Sequence, residues 1–162
     1  MLQTRHEWIA KLAGGGNAIA DMRVDAILDD AFLERDALIL ANCDAHCRLV
    51  TRAIEALATS AGSNQNCARD LLSNLIRGRS TYGSFAELAA YDWLMRCNLS
   101  IQTHIAMTPN DVLAVNGSTL DGKFVHDDIY FDVKAFGFHG RMAKLLKEKL
   151  EASFPSEQVL VE

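Results

Sequence analysis

No stretch of this sequence stays apolar for the roughly 18 residues that a membrane-spanning helix needs. The opening residues, MLQTRHEWIA, hold no basic run leading into an apolar segment. Neither a membrane span nor a secretory leader is therefore expected, and the expected compartment is the cytoplasm. Internal repeats and low-complexity tracts are also missing, which sets aside repeat architectures. Nor is there an excess of basic charge: 16 Lys and Arg stand against 21 Asp and Glu, a formal net charge of −5. That speaks against a protein that coats nucleic acid through bulk electrostatics. It does not exclude an enzyme that reaches phosphates through a cation, because the carboxylates holding the cation lower the net charge themselves. Cysteine is sparse as well. Cys43, Cys47, Cys67 and Cys97 could form two bridges only in an oxidising compartment, so free thiols are expected.

What is present is ordinary for a folded domain. The 162 residues are 49% hydrophobic and 23% charged, enough for one domain, or one and a half, with a real core. The pattern changes near Gly83. Before it, apolar residues recur at helical spacing; after it, one helix is followed by alternating, strand-like stretches. The spacing predicts helices over 4–13, ended by Gly14-Gly15-Gly16, and over 17–31. One long helix is expected over 32–60, from the recurrence of Leu33, Leu38, Leu40, Cys43, Cys47, Val50, Ile54 and Leu57, and another over 65–77. This half, 1–82, reads as a helical bundle or cap, and dimerisation is a role it could serve.

In the second half, 83–162, Ser84-Phe85-Ala86-Glu87 has the form of a capping box that opens a helix running to about Cys97. Strands are expected over 99–107, 112–115, 118–125 and 128–136. The dipeptide His126-Asp127 forms the turn between the last two. A helix over 141–153 and a strand over 158–161 complete the order.

The chemistry lies in Asp121 and in Asp128-Ile129-Tyr130-Phe131-Asp132-Val133-Lys134. Strand side chains alternate, so Asp128, Tyr130, Asp132 and Lys134 share one face, with Ile129, Phe131 and Val133 on the apolar other. A hairpin with His126 and Asp127 at its tip pairs Val125 with Asp128, and four steps further back it pairs Asp121 with Asp132. Directly opposed residues have Cβ atoms about 4.5–5.5 Å apart, a spacing at which two carboxylates repel. A divalent cation between them resolves the repulsion, and Mg²⁺ commonly takes one or two carboxylates plus water and phosphate. Lys134 projects from the same face, where an ammonium can orient the attacking water or offset charge on a phosphate.

Asp121 followed, after ten residues, by Asp132-Val133-Lys134 resembles the PD-(D/E)xK motif of restriction-endonuclease-like nucleases, with Leu120 in place of the proline. The resemblance covers about 83–162 and implies an α/β fold with an αβββαβ core, here preceded by the helical region. It implies a metal-dependent endonuclease, using Mg²⁺ or Mn²⁺ to hydrolyse phosphodiesters, of DNA rather than RNA. The usual settings of such enzymes are restriction, defence and repair. Members often carry a further acidic residue on the helix before the strands, and Glu87 is the matching position. The resemblance thus assigns Asp121, Asp132 and Glu87 to the metal and Lys134 to the water and phosphate. A homodimer, or a further domain or subunit, would supply target recognition.

Competing readings stand beside these. Asp111 and Asp128 are the other candidates for the first metal ligand. Glu87 could serve only as a helix cap, and Asp132 and Lys134 could form a solvated strand face. Cys43, His46, Cys47 and Cys67 could be arranged as a zinc site, but buried free thiols account for them more simply. His104, His126 and His139 read as surface or structural residues, with His139 close enough in sequence to touch substrate. Trp8 and Trp93 read as core or interface residues. Arg141, Lys144, Lys147 and Lys149 read by default as a solvated helix face; if the resemblance holds, they and Arg77-Gly78-Arg79 are the natural candidates for phosphate contacts. The alternative function is a non-cleaving nucleic-acid-binding or regulatory module of the same fold.

Overall fold

The Thr4 hydroxyl accepts the Glu7 N–H at 3.2 Å, and the Glu7 carboxylate accepts the Thr4 N–H at 2.8 Å. This reciprocal cap satisfies two of the N–H groups that a helix leaves open at its start, and it begins helix α1 (Arg5–Ala13). The computed structural model describes residues 4–22, 31–60, 63–78, 80–107 and 119–135, together with 148, 149 and 152. Within them α1 is followed by α2 (Asn17–Asp21), α3 (Arg35–Ala41), α4 (Asp44–Thr59), α5 (Ser63–Ile76) and α6 (Thr81–Arg96). The strands β1 (Ile101–Ala106), β2 (Thr119–Phe124) and β3 (Tyr130–Phe131) then form an antiparallel sheet in the order β1-β2-β3. The architecture is mixed α/β. No helix of the described residues is long and apolar enough to cross a membrane.

The helix expected over 32–60 is two helices. Residues 31–34 precede α3 without being helical, and Phe32 bridges to Thr4. At Cys43 the backbone turns extended (φ −103°, ψ 110°) before α4 begins. The break is stabilised by partners for the carbonyls that α3 leaves open at its end. Lys11 Nζ donates to Ala41 O at 3.0 Å, and the Cys47 thiol donates to the same oxygen at 3.4 Å. Periodicity hides such a break because both helices turn apolar residues, among them Leu40, Cys47 and Val50, into one core. Of the stretch expected over 17–31, α2 covers the beginning. It is held by Glu55, whose Oε1 accepts the Ala18 N–H at 2.8 Å. The remainder lies mostly outside the described residues.

Helix α6 also departs from expectation. It starts at Thr81, one turn before Ser84, and Ser84 is a buried residue within it whose N–H donates to Ser80 O at 2.9 Å. The expected capping box is therefore not formed. Thr81, Ser84, Leu88 and Tyr91 recur at helical spacing and are all buried, so packing of that stripe draws the helix start back by a turn.

The core is one cluster built from Trp8, Leu12, Ile54, Leu57, Leu72, Leu75, Leu88, Tyr91 and their neighbours, and it reaches Ile101 in β1. It draws on both sides of residue 82. Each fully buried large side chain contributes about 1.5–3 kcal/mol. Since most of them are helical, the sheet depends on being docked to α5 and α6.

Two contacts do the docking. Asn64 on α5 treats β1 as a neighbouring strand would: its Nδ2 donates to Ile101 O at 3.0 Å, and its Oδ1 accepts the Thr103 N–H at 2.9 Å and the Thr103 hydroxyl at 3.0 Å. At the other side of the sheet, the Phe131 ring lies over Gly122, where any Cβ would collide with it. That ring meets Tyr91 edge-on at 6.4 Å and Phe124 at 5.1 Å.

Strands β2 and β3 pair in the expected register, Gly122 with Phe131 and Lys123 with Tyr130, and Phe124 N–H donates to Ile129 O at 2.8 Å. The last strand is shorter than expected. Asp128 takes a left-handed conformation (φ 54°) in the turn, and the ladder is confined to Tyr130 and Phe131. Ile129, expected on the core face, is exposed, because the turn ends only beside it. The strands expected at 112–115 and 158–161 lie outside the described residues. So does most of the helix expected over 141–153, of which 148, 149 and 152 are described and helical.

Candidate functional site

Strand β2 is the middle strand, and Asp121 sits at its centre. In the β1–β2 register, Thr103 pairs with Gly122 and Ile105 with Leu120, so His104 is the residue across from Asp121. On the other side, one step beyond the Gly122–Phe131 pair, Asp132 is the residue across from it. Asp121 is fixed from both ends. Its carbonyl accepts the Tyr91 hydroxyl at 2.8 Å, and its Oδ2 accepts the Val133 N–H at 2.6 Å. The second bond carries the hairpin on past the last ladder pair and keeps Asp132 alongside.

Each carboxylate acts on the other, and the two are shifted in opposite directions. Burial, together with Asp132 and Glu87 nearby, pushes Asp121 up to about 6 against the opposing effect of the Val133 N–H. Asp132 is held below the ordinary carboxylate range, first by Lys134 and then by Asp121. This is the expected behaviour of two acids that share one proton. Lys134 forms an ion pair with Asp132, and its own pKa is raised chiefly by that contact.

Glu87 is the third acidic residue. With Ser84 inside the helix, its carboxylate is not used as a cap. Its Oε2 lies instead 3.6 Å from His104 Nε2. The charge of Glu87 acts on both Asp121 and Lys134, so α6 brings it to the edge of the acidic pair. Asp121, Asp132, Lys134 and Glu87 therefore gather at one place on the sheet.

Other candidates fall elsewhere. Asp128 pairs with Lys123 at the hairpin turn, away from the acidic pair. Asp111, His139, Arg79, Arg141, Lys144 and Lys147 lie outside the described residues. His126 is exposed in the turn, and Trp8 is fully buried while Trp93 is largely exposed. The four cysteines are free thiols. Cys67 is fully buried and Cys47 donates to α3 carbonyls, while Cys97 is exposed. His46 packs edge-on against Phe85, with ring centroids 5.0 Å apart. Among the described residues, no three His, Cys, Asp or Glu side chains form a ready cage for a metal ion. What is present is a carboxylate pair with one further carboxylate beside it. That donor set suits a hard cation that keeps most of its water and takes oxygens from a phosphate.

His104 is the site residue that sequence reasoning missed. Its φ of 51° interrupts the alternation of β1, so counting along the strand does not show which way it faces. Cys67 and Glu87 together raise its pKa to about 10, against burial, which lowers it. The signal that could have found it is the β1–β2 register, and the intervening segment is too long for a hairpin count to supply that.

Compared with known proteins, the chain matches no family model, no curated protein and no solved structure.

Proposed function

We propose that this protein is a divalent-metal-dependent nuclease of PD-(D/E)xK type, hydrolysing phosphodiester bonds of DNA in preference to RNA. The observation that carries this reading is the pairing of Asp121 with Asp132 across a hairpin, with Lys134 against Asp132. Two carboxylates and a lysine on adjoining strand positions are the parts that phosphodiester hydrolysis needs. The order α6-β1-β2-β3 agrees with the first four elements of the αβββαβ core.

In this reading Asp121 and Asp132 would hold Mg²⁺ or Mn²⁺, with Glu87 completing the shell directly or through water. The cation supplies Lewis-acid stabilisation at the phosphate and makes water a better nucleophile. Lys134 orients the attacking water and offsets charge growing on the phosphate oxygens. Tyr91 and the Val133 N–H keep Asp121 in place, so that the acidic pair is already assembled when the substrate arrives. Restriction, defence or repair of DNA in the cytoplasm is the setting that fits such a chemistry. A homodimer or a further domain would supply the target recognition.

The test is incubation of the purified protein with plasmid and with single-stranded DNA, in Mg²⁺, Mn²⁺ or EDTA, beside Asp132→Ala. Cutting that needs metal and is lost in the variant is the expected result. Cutting that continues unchanged in Asp132→Ala would overturn the assignment. The alternative, a non-cleaving binding module of the same fold, predicts DNA retention without cutting at any metal concentration.

A further inference from the structure

We infer that His104 is a positioning residue, whose imidazole holds the Glu87 carboxylate toward the Asp121–Asp132 pair. The inference rests on the nuclease reading and adds to it a residue that the motif does not contain.

Three observations lead here. The His104 Nε2 and Glu87 Oε2 atoms are 3.6 Å apart, and both side chains are mostly shielded, with 34% and 21% of their surfaces exposed. His104 is also the residue across β1–β2 from Asp121, so the contact is made beside the acidic pair. Finally, His104 adopts a left-handed backbone conformation in the middle of a strand. A residue other than glycine is uncommon there and costs roughly 1–3 kcal/mol.

The physical need is plain. Glu87, Asp121 and Asp132 carry like charges, and with no anchor Glu87 would swing away from the other two. The His104 imidazole, 3.6 Å from Glu87 Oε2, offsets the repulsion and fixes the direction of the carboxylate. Groups that orient metal-binding carboxylates in this way typically contribute 10- to 100-fold to metal affinity.

The test measures Mn²⁺ binding to the full chain by electron paramagnetic resonance, with no substrate present. His104→Asn keeps a residue that tolerates positive φ but has a shorter side chain. It should weaken Mn²⁺ binding by about 10-fold or more. His104→Gln returns a longer N–H donor and should restore most of the affinity. Glu87→Gln reads the same contact from its other side, and adding His104→Asn to it should cost nothing further, because the two residues act as one unit. Wild-type affinity in His104→Asn would overturn the inference alone, as would full additivity of the two changes. Absence of Mn²⁺ binding in the wild type would overturn the nuclease reading, and this inference with it.

Discussion

Asp121 accepts the Val133 N–H at 2.6 Å, and this bond holds Asp132 alongside it although the ladder between their strands ends one residue earlier. A side chain thus does the work of a backbone carbonyl, and two acids are kept together by it. Opposed carboxylates destabilise a sheet unless something neutralises them. In EDTA, Asp121→Asn should therefore be at least as stable as the wild type, since asparagine still offers an oxygen to Val133. In saturating Mn²⁺ the order should reverse. Ligand at 100 times its Kd stabilises by about 2.7 kcal/mol, and only the wild type should gain it. Thermal unfolding with and without Mn²⁺ measures both; a wild-type Tm unmoved by the metal would count against the site.

Lys134 should separate binding from chemistry. Lys134→Ala leaves both carboxylates in place, so the Mn²⁺-dependent rise in Tm should persist. Cleavage should fall by about 100-fold or more, the usual cost of removing a group that stabilises charge in the transition state. Single-turnover kinetics on a fixed DNA substrate would show it, and an unchanged rate would remove Lys134 from the mechanism.

Gly122 should tolerate no side chain. A Cβ there meets the Phe131 ring, which anchors β3 beside Tyr91. Gly122→Ala should cost about 1–3 kcal/mol, the usual range for overpacking, and should lower Mn²⁺ affinity because the hairpin carries Asp132. Denaturant unfolding and metal titration of the same sample check both effects.

Asn64 should matter far more than its distance from the acidic pair suggests. Asn64→Ala strips partners from Ile101 O and from the buried Thr103 N–H and hydroxyl. At about 1–3 kcal/mol for each of the three groups left unsatisfied, a loss of at least about 3 kcal/mol is expected. Urea unfolding gives the value, and a loss within roughly 0.5 kcal/mol, the spread of neutral surface changes, would contradict it.

Arg52 grips Asp92 with two bonds, Nε to Oδ1 at 3.0 Å and Nη2 to Oδ2 at 2.9 Å, tying α4 to α6. The arginine is half exposed and the carboxylate buried, which places the pair between surface bridges and buried ones. Arg52→Ala should cost about 1–2 kcal/mol. Arg52→Lys should recover only part, because an ammonium cannot bind both oxygens in the same way. A double-mutant cycle with Asp92→Asn isolates the coupling.

Local signals were legible where local energetics decide. The Gly14-Gly15-Gly16 stop and the span of α5 follow from spacing and from residues that end helices. The β2–β3 register follows from the tight turn at His126-Asp127. Signals failed where packing outweighed them. Ser84 and Glu87 have the residues of a capping box, but the backbone is already helical from Thr81 and the Ser84 N–H is bonded to Ser80 O. Ser84 therefore packs inside the helix beside Leu88 and Tyr91 and leaves no helix start there to cap. The continuous periodicity through Cys43 concealed a break at which the open Ala41 carbonyl is satisfied by Lys11, a residue of α1 that lies 30 positions earlier in the chain.

By itself, the sequence determined which residues could form the acidic hairpin, because turn length and strand alternation are properties of neighbouring residues. Only the tertiary structure decided how that hairpin is held and what surrounds it. Asn64 of α5 against Thr103 of β1, Phe131 over Gly122, Tyr91 bonded to Asp121 and His104 against Glu87 are contacts between residues about 9 to 39 positions apart. Such contacts depend on the packing of the whole core, and no local pattern encodes them.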